Sequence, residues 1–310
     1  MLKQVLEIID IIDRGNVCGK DIVQLFSGYQ NVTATWETVA GESGTTDFVK
    51  IVVRGKNGKS SGGASPNLGV IGRLGGIGAR PSHIGMVSDA DGAVSALSVA
   101  LKLAQMTLYE DRLEGDVIIT THICPNAPSE PHFPVDFMGS PVDMEQMNTY
   151  EVAAEADAFL TIDTTKGNDV ITHKGYSISP TVKEGYILRV SQDLLDIMKI
   201  CSGIAPSTFP LSLLDITPYS NNLYHINIIL QPSTATNAPV VGVAITTQTV
   251  VPGCATGASH EGDICEASRF VVEVAKQFTA GKLAFYDKEE FAKLLQLYGP
   301  MNKFQTGGSI

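Results

Sequence analysis

Apolar residues recur every three or four positions in several stretches of the chain, which is the spacing of one face of an α-helix. The pattern predicts two helices at the start, the first ending near Arg14 and the second around Asp21 to Phe26. A longer helix is predicted over residues 91–109, with Asp91 at the positive end of its dipole. Three more helices are predicted further along, at Ser191–Cys201, Ile264–Phe278 and Lys288–Leu297.

Strands are predicted where β-branched or apolar residues run together. Residues 31–54 are rich in β-branched residues and break at Gly41 and Gly44, which predicts strands joined by turns. Residues 55–85 contain ten glycines and no clear period, and this predicts a long loop. Three short apolar strands are predicted at 117–121, 158–162 and 239–247. Continuously apolar strands are typical of a parallel sheet that is covered on both faces.

The order of these elements predicts the fold class. We expect an α/β protein with three layers, α/β/α, around a mostly parallel central sheet. No internal repeat is visible, so residues 1–300 are expected to form one domain. The last residues, 301–310, are predicted to be a loose tail.

Composition excludes several classes of protein. Lys and Arg number 22 against 33 Asp and Glu, a net charge of −11, and such an acidic chain is a poor partner for nucleic acid. The five cysteines show no C-x-x-C spacing, so neither a disulfide framework nor a thiolate zinc cluster is predicted. The N-terminus does not resemble a signal peptide, and no apolar run approaches the ~20 residues that span a bilayer. We therefore expect a cytoplasmic protein with no membrane or nucleic-acid partner.

Common catalytic motifs are missing or incomplete. The Gly-Lys-Ser at 58–60 lacks the first glycine of a phosphate-binding P-loop, and residues 72–78 are not a spaced dinucleotide motif. Cys254 and Cys265 flank His260 at a spacing that does not indicate a nucleophile. Phosphate, dinucleotide and nucleophilic-cysteine chemistry are therefore not predicted.

Four polar residues lie where ligands usually bind in an open α/β sheet. His122 and Asp163 end apolar strands, Asp91 opens a helix, and His260 precedes one. The carboxyl ends of parallel strands and the adjoining helix N-termini meet in one crevice. Carboxylate and imidazole are the usual ligands of Zn²⁺, Co²⁺ or Mn²⁺, so these residues are candidate ligands of a divalent metal.

Three segments resemble the two-metal zinc aminopeptidase clan, in particular its glutamyl aminopeptidase branch. DGAVS, which begins at Asp91, is similar to the element whose aspartate bridges both ions. Residues 156–169 resemble the strand that ends in a metal-binding aspartate, here Asp163, and residues 240–266 resemble the closing segment with its metal-binding histidine, here His260. The resemblance implies a zinc-exopeptidase-like (phosphorylase/hydrolase-like) fold. The whole chain also resembles an uncharacterised archaeal and bacterial family, domain of unknown function 1177.

The chain departs from the peptidase pattern at the catalytic base. Where those enzymes have two adjacent glutamates, this chain has His122 followed by an isoleucine. His122 would serve as a metal ligand in place of the second glutamate. Since isoleucine cannot accept a proton from water, the base would have to be Glu130 or His132 in the following loop.

A second departure concerns the first metal-binding histidine of the peptidases. His83 is the nearest candidate, and Arg73 is the alternative occupant of that position. The branch's dimerisation insert of about 80–100 residues has no equivalent. We nevertheless expect a homo-oligomer, a dimer or larger.

These observations leave three functions open. The first is a metal-dependent hydrolase of small peptide or amide substrates, with zinc, cobalt or manganese held by the predicted ligands and water as the nucleophile. The second is a non-catalytic peptide- or small-molecule-binding protein on a degenerate aminopeptidase fold. The third is decarboxylation or isomerisation on the same metal centre. The predicted ligands are Asp91, Asp163, His260, His122 and His83.

Overall fold

The computed structural model describes residues 1–73, 76–133, 135–166, 169–212, 223–251 and 255–306. Its helices within these ranges are α1 (Leu2–Ile12), α2 (Gly19–Leu25), α3 (Asp91–Thr107), α4 (Met144–Glu151), α5 (Gln192–Ser202), α6 (Glu261–Thr279) and α7 (Lys288–Tyr298). Its strands are β1 (Val32–Gly41), β2 (Gly44–Val53), β3 (Leu68–Gly72), β4 (Val117–Ile123), β5 (Ser129–Glu130), β6 (Phe137–Met138), β7 (Ala158–Thr164), β8 (Gly175–Ile178), β9 (Val182–Lys183), β10 (Tyr186–Ile187) and β11 (Val240–Thr246).

Nine strands form one mixed sheet. The strand order is β1-β2-β4-β3-β7-β11-β9-β10, and β8 also pairs with β11. The four central strands β4, β3, β7 and β11 run parallel, whereas the β1–β2 hairpin and the short strands beyond β11 pair antiparallel. The predicted α/β class is confirmed, with a mixed sheet whose centre is parallel.

Both faces of the central strands are covered. Helices α1, α3, α5 and α6 pack on one another and on one face, where they bury Val70 and Leu160. The opposite face carries α4 and a 3₁₀ helix at Ile228–Thr234, and it buries Ile71 and Phe159. Neighbouring residues of one strand thus enter different cores, which explains why these strands are apolar without alternation.

The prediction of an uninterrupted loop over residues 55–85 is wrong, because β3 lies within this stretch at the centre of the sheet. Its glycines are required for packing. A Cβ on Gly69 would lie 2.4 Å from the ring of Phe159, and one on Gly72 would lie 2.7 Å from the carbonyl oxygen of Gly92. Glycine in this strand therefore indicates close approach of other groups rather than a loop.

The other predicted helices and apolar strands are confirmed to within a few residues, although α4 was not predicted. Strands β4 and β7 run two residues further than predicted, so His122 and Asp163 lie inside them. Near the C-terminus, Gln305 Nε2 donates to the carbonyl oxygens of Ser233 and Thr236. Among the described residues, no helix is both long and apolar enough to cross a membrane.

Candidate functional site

A row of ionisable side chains crosses the carboxyl end of the parallel strands. Gly72 of β3 pairs with Thr121 of β4 and with Ile162 of β7. The next residues along these three segments are Arg73, His122 and Asp163, and the Arg73 N–H continues the ladder by donating to the Ile162 carbonyl. Since side chains alternate between the faces of a sheet, all three belong to the α4 face. The sequence prediction that His122 and Asp163 share this edge is therefore consistent with the register.

Arg73, Glu151 and His122 form a buried chain of hydrogen bonds. The guanidinium of Arg73 donates to Glu151 Oε2, and Glu151 Oε1 lies 2.7 Å from His122 Nδ1. Arg73 also donates to the side-chain oxygens of Gln231 and Asn148. These partners come from β4, α4 and the 3₁₀ helix, so three elements fix the positions of the hydrogen-bonded side chains.

The protonation state of Glu151 follows from its neighbours. Burial alone would raise the pKa of this carboxyl, but the charge of Arg73 and the hydrogen bond from His122 together hold its pKa below the ordinary value. Glu151 is therefore a carboxylate, which can only accept hydrogen bonds. The hydrogen between Glu151 and His122 consequently resides on His122 Nδ1.

Asp163 lies next to this set of hydrogen-bonded side chains, and its pKa is shifted in the opposite direction to that of Glu151. Burial raises the pKa of Asp163 well above its ordinary value, and the nearby carboxylate of Asp89 raises it further. Asp163 Oδ1 accepts a hydrogen bond of 2.7 Å from the Thr164 N–H. Asp89 Oδ2 accepts one of 3.0 Å from the Gly76 N–H. Burial and the like charge of Asp89 therefore both favour the neutral form of Asp163.

A second buried ion pair lies at the start of α3. Lys166, which follows β7, donates to Asp91 Oδ2 and also to the Ala258 carbonyl at 2.8 Å. Ser259 Oγ donates to Asp91 Oδ1 at 2.6 Å. Burial raises the pKa of Asp91, while the charge of Lys166 opposes this rise. The lysine thus supplies the positive charge beside Asp91.

His260 lies at the N-cap of α6, close enough for its charge to act on Asp91. Its side chain is 48% exposed, and Nδ1 lies 3.9 Å from Asp263 Oδ2. The buried Asp263 Oδ2 has no hydrogen-bond partner in the part of the chain that the structure describes. Since the preceding residue, Ser259, donates to Asp91, His260 and Asp91 lie in the same part of the fold, and a metal shared by the two stays a prediction.

The other three predicted site residues, His83, Glu130 and His132, are not part of the row. His83 is partly exposed, and its Nε2 lies 4.0 Å from Asp136 Oδ2. Glu130 is exposed on β5, and exposed His132 packs its ring on Phe137. None of the hydrogen bonds or ion pairs described for these residues reaches the row, so their proposed roles as ligand and proton acceptor stay predictions.

The described side chains do not assemble a metal centre. In the described ranges, no group of three or more His, Cys, Asp and Glu side chains could hold a metal ion. The carboxylate of Asp91 pairs with the ammonium of Lys166, and His122 Nδ1 is hydrogen-bonded to Glu151. The set thus does not fit the two-metal arrangement that the resemblance implies, and a divalent metal stays a prediction.

Five charged or polar residues of this edge were not among the predicted candidates: Asp89, Glu151, Lys166, Gln231 and Asp263. Lys166 had the strongest local signal, because it lies two residues after the buried strand β7, within the segment 156–169 that resembles the aminopeptidases. Glu151 ends a short helix, and Gln231 lies in an apolar stretch without a motif. Only the tertiary structure brings them to Arg73 and His122.

The chain matches a described protein family over most of its length. No curated protein matches the chain. The family described as "Protein of unknown function (DUF1177)" matches residues 37–308, which is most of the chain and includes every residue of the row. The chain therefore belongs to the DUF1177 family.

Proposed function

We propose that the chain is a peptide- or small-molecule-binding protein on a degenerate aminopeptidase-like α/β fold, with its ligand at the carboxyl edge of the sheet. The proposal takes the resemblance of three segments to the aminopeptidases as its guide to the fold. It takes the location and the kind of ligand from the charges at that edge.

One observation carries the proposal: the buried charge of the described residues is concentrated at this edge. Of the ten buried Asp, Glu, Lys, Arg and His side chains, only Asp116 and Lys183 lie elsewhere. The other eight are Arg73, Asp89, Asp91, His122, Glu151, Asp163, Lys166 and Asp263.

Such a concentration is unfavourable for folding alone. Burying a charge costs several kcal/mol per ion, and a well-packed apolar core of the same volume is often as stable or more so. Strongly perturbed ionisable groups in one crevice are typical of functional sites. Here the acidic groups outnumber Arg73 and Lys166, so a ligand with a positively charged or hydrogen-donating group would complement the edge.

The ion pair between Lys166 and Asp91 favours binding over metal-dependent hydrolysis. In the two-metal aminopeptidases that the segment beginning at Asp91 resembles, the equivalent aspartate bridges two metal ions. A lysine ammonium at Asp91 neutralises the same carboxylate without providing a Lewis acid or a bound hydroxide. The lysine would thereby preserve a charged crevice while removing the hydrolytic chemistry.

A dipeptide screen tests the proposal. Ligand-observed NMR with a dipeptide library at millimolar concentration is expected to reveal binders to the wild-type protein. Asp263→Asn removes one of the acidic groups of this edge, so it should weaken the affinity of ligands with a free amino group at least about tenfold, the effect of roughly 1.4 kcal/mol. Asp196→Asn is the matched control, because Asp196 is an exposed aspartate that pairs with Lys199 on α5.

Metal analysis of the same preparations separates the two functions. A binding protein of the proposed kind should purify without stoichiometric zinc, cobalt or manganese. One or two equivalents in the wild type that disappear in Asp163→Ala would instead support the metal-dependent hydrolase of peptide or amide bonds. A library without binders, together with such a metal content, would overturn the binding function.

A further inference from the structure

The imidazole of His122 is fixed both by ring packing and by hydrogen bonding. It is fully buried on β4, and Phe48, its partner on β2, meets the imidazole edge-on with ring centroids 5.3 Å apart. Phe48 in turn stacks on Tyr150 of α4 at 4.7 Å. The ring nitrogen Nδ1 bonds Glu151, which in turn accepts a hydrogen bond from Arg73. The imidazole is therefore held by packing as well as by hydrogen bonding.

The hydrogen bond at Nδ1 determines which nitrogen of His122 can accept a hydrogen bond. Glu151 is a carboxylate and offers no hydrogen, so Nδ1 is the protonated nitrogen of the neutral ring. In this tautomer Nε2 carries the lone pair. Glu151 cannot easily turn away, because its second oxygen is bound by Arg73, which is itself held by Gln231.

His122 Nε2 has no hydrogen-bond partner among the described residues, although it is buried. A buried polar atom without a partner is unfavourable, and proteins leave few of them. The nitrogen lies in the row that ends the parallel strands, where ligands bind in sheets of this kind. A lone pair that the protein orients and leaves free is what a hydrogen-bond acceptor requires.

We propose that His122 Nε2 is the hydrogen-bond acceptor of the ligand site, and that Glu151 and Arg73 are positioning residues that keep it in the acceptor tautomer. This inference rests on the proposed binding function and specifies the ligand further. The ligand presents an N–H or O–H group to His122, as an amine, amide or hydroxyl does.

The tautomer is measured directly by long-range ¹H–¹⁵N correlation NMR on protein labelled at histidine. The six histidines are distinguished by the signals that disappear in His122→Gln. We expect wild-type His122 to show a protonated Nδ1 and an unprotonated Nε2. Glu151→Gln preserves the shape of the side chain but lets an amide either donate or accept, so the single tautomer should be lost. A merely structural role for Glu151 would leave the tautomer unchanged.

Access to Nε2 is tested with diethyl pyrocarbonate, a small electrophile that transfers an ethoxycarbonyl group to an unprotonated imidazole nitrogen and releases carbon dioxide and ethanol. Mass spectrometry of the native wild-type protein should detect modification of His122. The rate of modification should be lower at His122 than at exposed His132. His132 is the internal reference, since its ring is on the surface.

Two results would overturn the inference. A hydrogen on Nε2 of wild-type His122 would make it a donor, and an unmodified His122 beside fully modified His132 would show that the nitrogen is sealed from ligands. Dipeptide binding to a protein with a hydrogen on Nε2 would leave the binding function intact and remove only the role of His122. The reverse pattern, an accessible acceptor nitrogen without any bound dipeptide, would overturn the binding function and with it this role.

Discussion

At the scale of single residues, the burial of Asp163 makes the stability of the folded protein depend on pH. Its pKa in the folded protein is raised above the unfolded value, so the folded state holds the proton more tightly. The stability that this proton contributes is present below the unfolded pKa and is lost as pH rises through the folded pKa. We expect Asp163→Asn, which stays neutral, to be more stable than the wild type at pH 8 by about 1–3 kcal/mol, with little difference at pH 4.

Urea denaturation at both pH values measures this difference. Asp196→Asn is the control, because Asp196 is exposed on α5 and its hydrogen bond with Lys199 lowers its pKa. Its substitution should have a small effect of the opposite sign. A wild type that gains stability over Asp163→Asn as pH rises would show that folding lowers the pKa of Asp163 instead of raising it.

Also at this scale, Arg73 and Glu151 depend on each other. Removing one partner of a buried ion pair leaves an uncompensated charge, which typically costs about 3–5 kcal/mol, whereas removing both can be nearly neutral. Arg73→Met should therefore destabilise the protein by that amount, and adding Glu151→Met should recover part of the loss. Chemical denaturation of the four variants of this cycle measures the coupling, and additive losses would contradict it.

At the scale of elements, glycine allows α3 to begin directly against the central strands. A Cβ on Gly92 would lie 2.5 Å from the Arg73 carbonyl oxygen and 2.6 Å from that of Ile162. Gly92→Ala should therefore push α3 away from β3 and β7 and destabilise the protein by about 1–3 kcal/mol. Because Asp91 precedes this glycine, its pairing with Lys166 should be disturbed as well.

The matched control for this element is Gly262→Ala in the first turn of α6, where an added Cβ meets nothing within 4 Å. Alanine has the higher helix propensity, so this substitution should be neutral or stabilise by up to about 1 kcal/mol. Thermal denaturation of both variants compares the two helix starts. Equal effects would show that space near β3 does not limit α3.

At the scale of the whole molecule, the C-terminal segment contacts distant parts of the chain. Gln305 Nε2 donates to two carbonyls near the 3₁₀ helix, and a Cβ on Gly185 would lie 2.3 Å from the Met301 carbonyl oxygen. Deleting residues 301–310 should lower the free energy of unfolding by about 1–3 kcal/mol, because the carbonyls of Ser233 and Thr236 lose their donor.

Deleting residues 307–310 alone is the control for this prediction, since it removes chain while retaining Gln305. Comparison of the two truncated proteins by urea denaturation separates the hydrogen bonds from the length of the chain. If both deletions have the same small effect, the segment behaves as the loose tail that the sequence predicts.

The sequence by itself determined the α/β class, most helices and the apolar strands, because periodicity and apolar runs are local properties. It also indicated that His122 and Asp163 would share one edge. Tertiary structure decided what these residues contact. Strand β3 was hidden by glycines whose purpose is close packing, and Glu151 carried no motif of its own. The pairing of Lys166 with Asp91 depends on a contact across 75 positions, and no local pattern encodes which distant charge will neutralise a buried carboxylate.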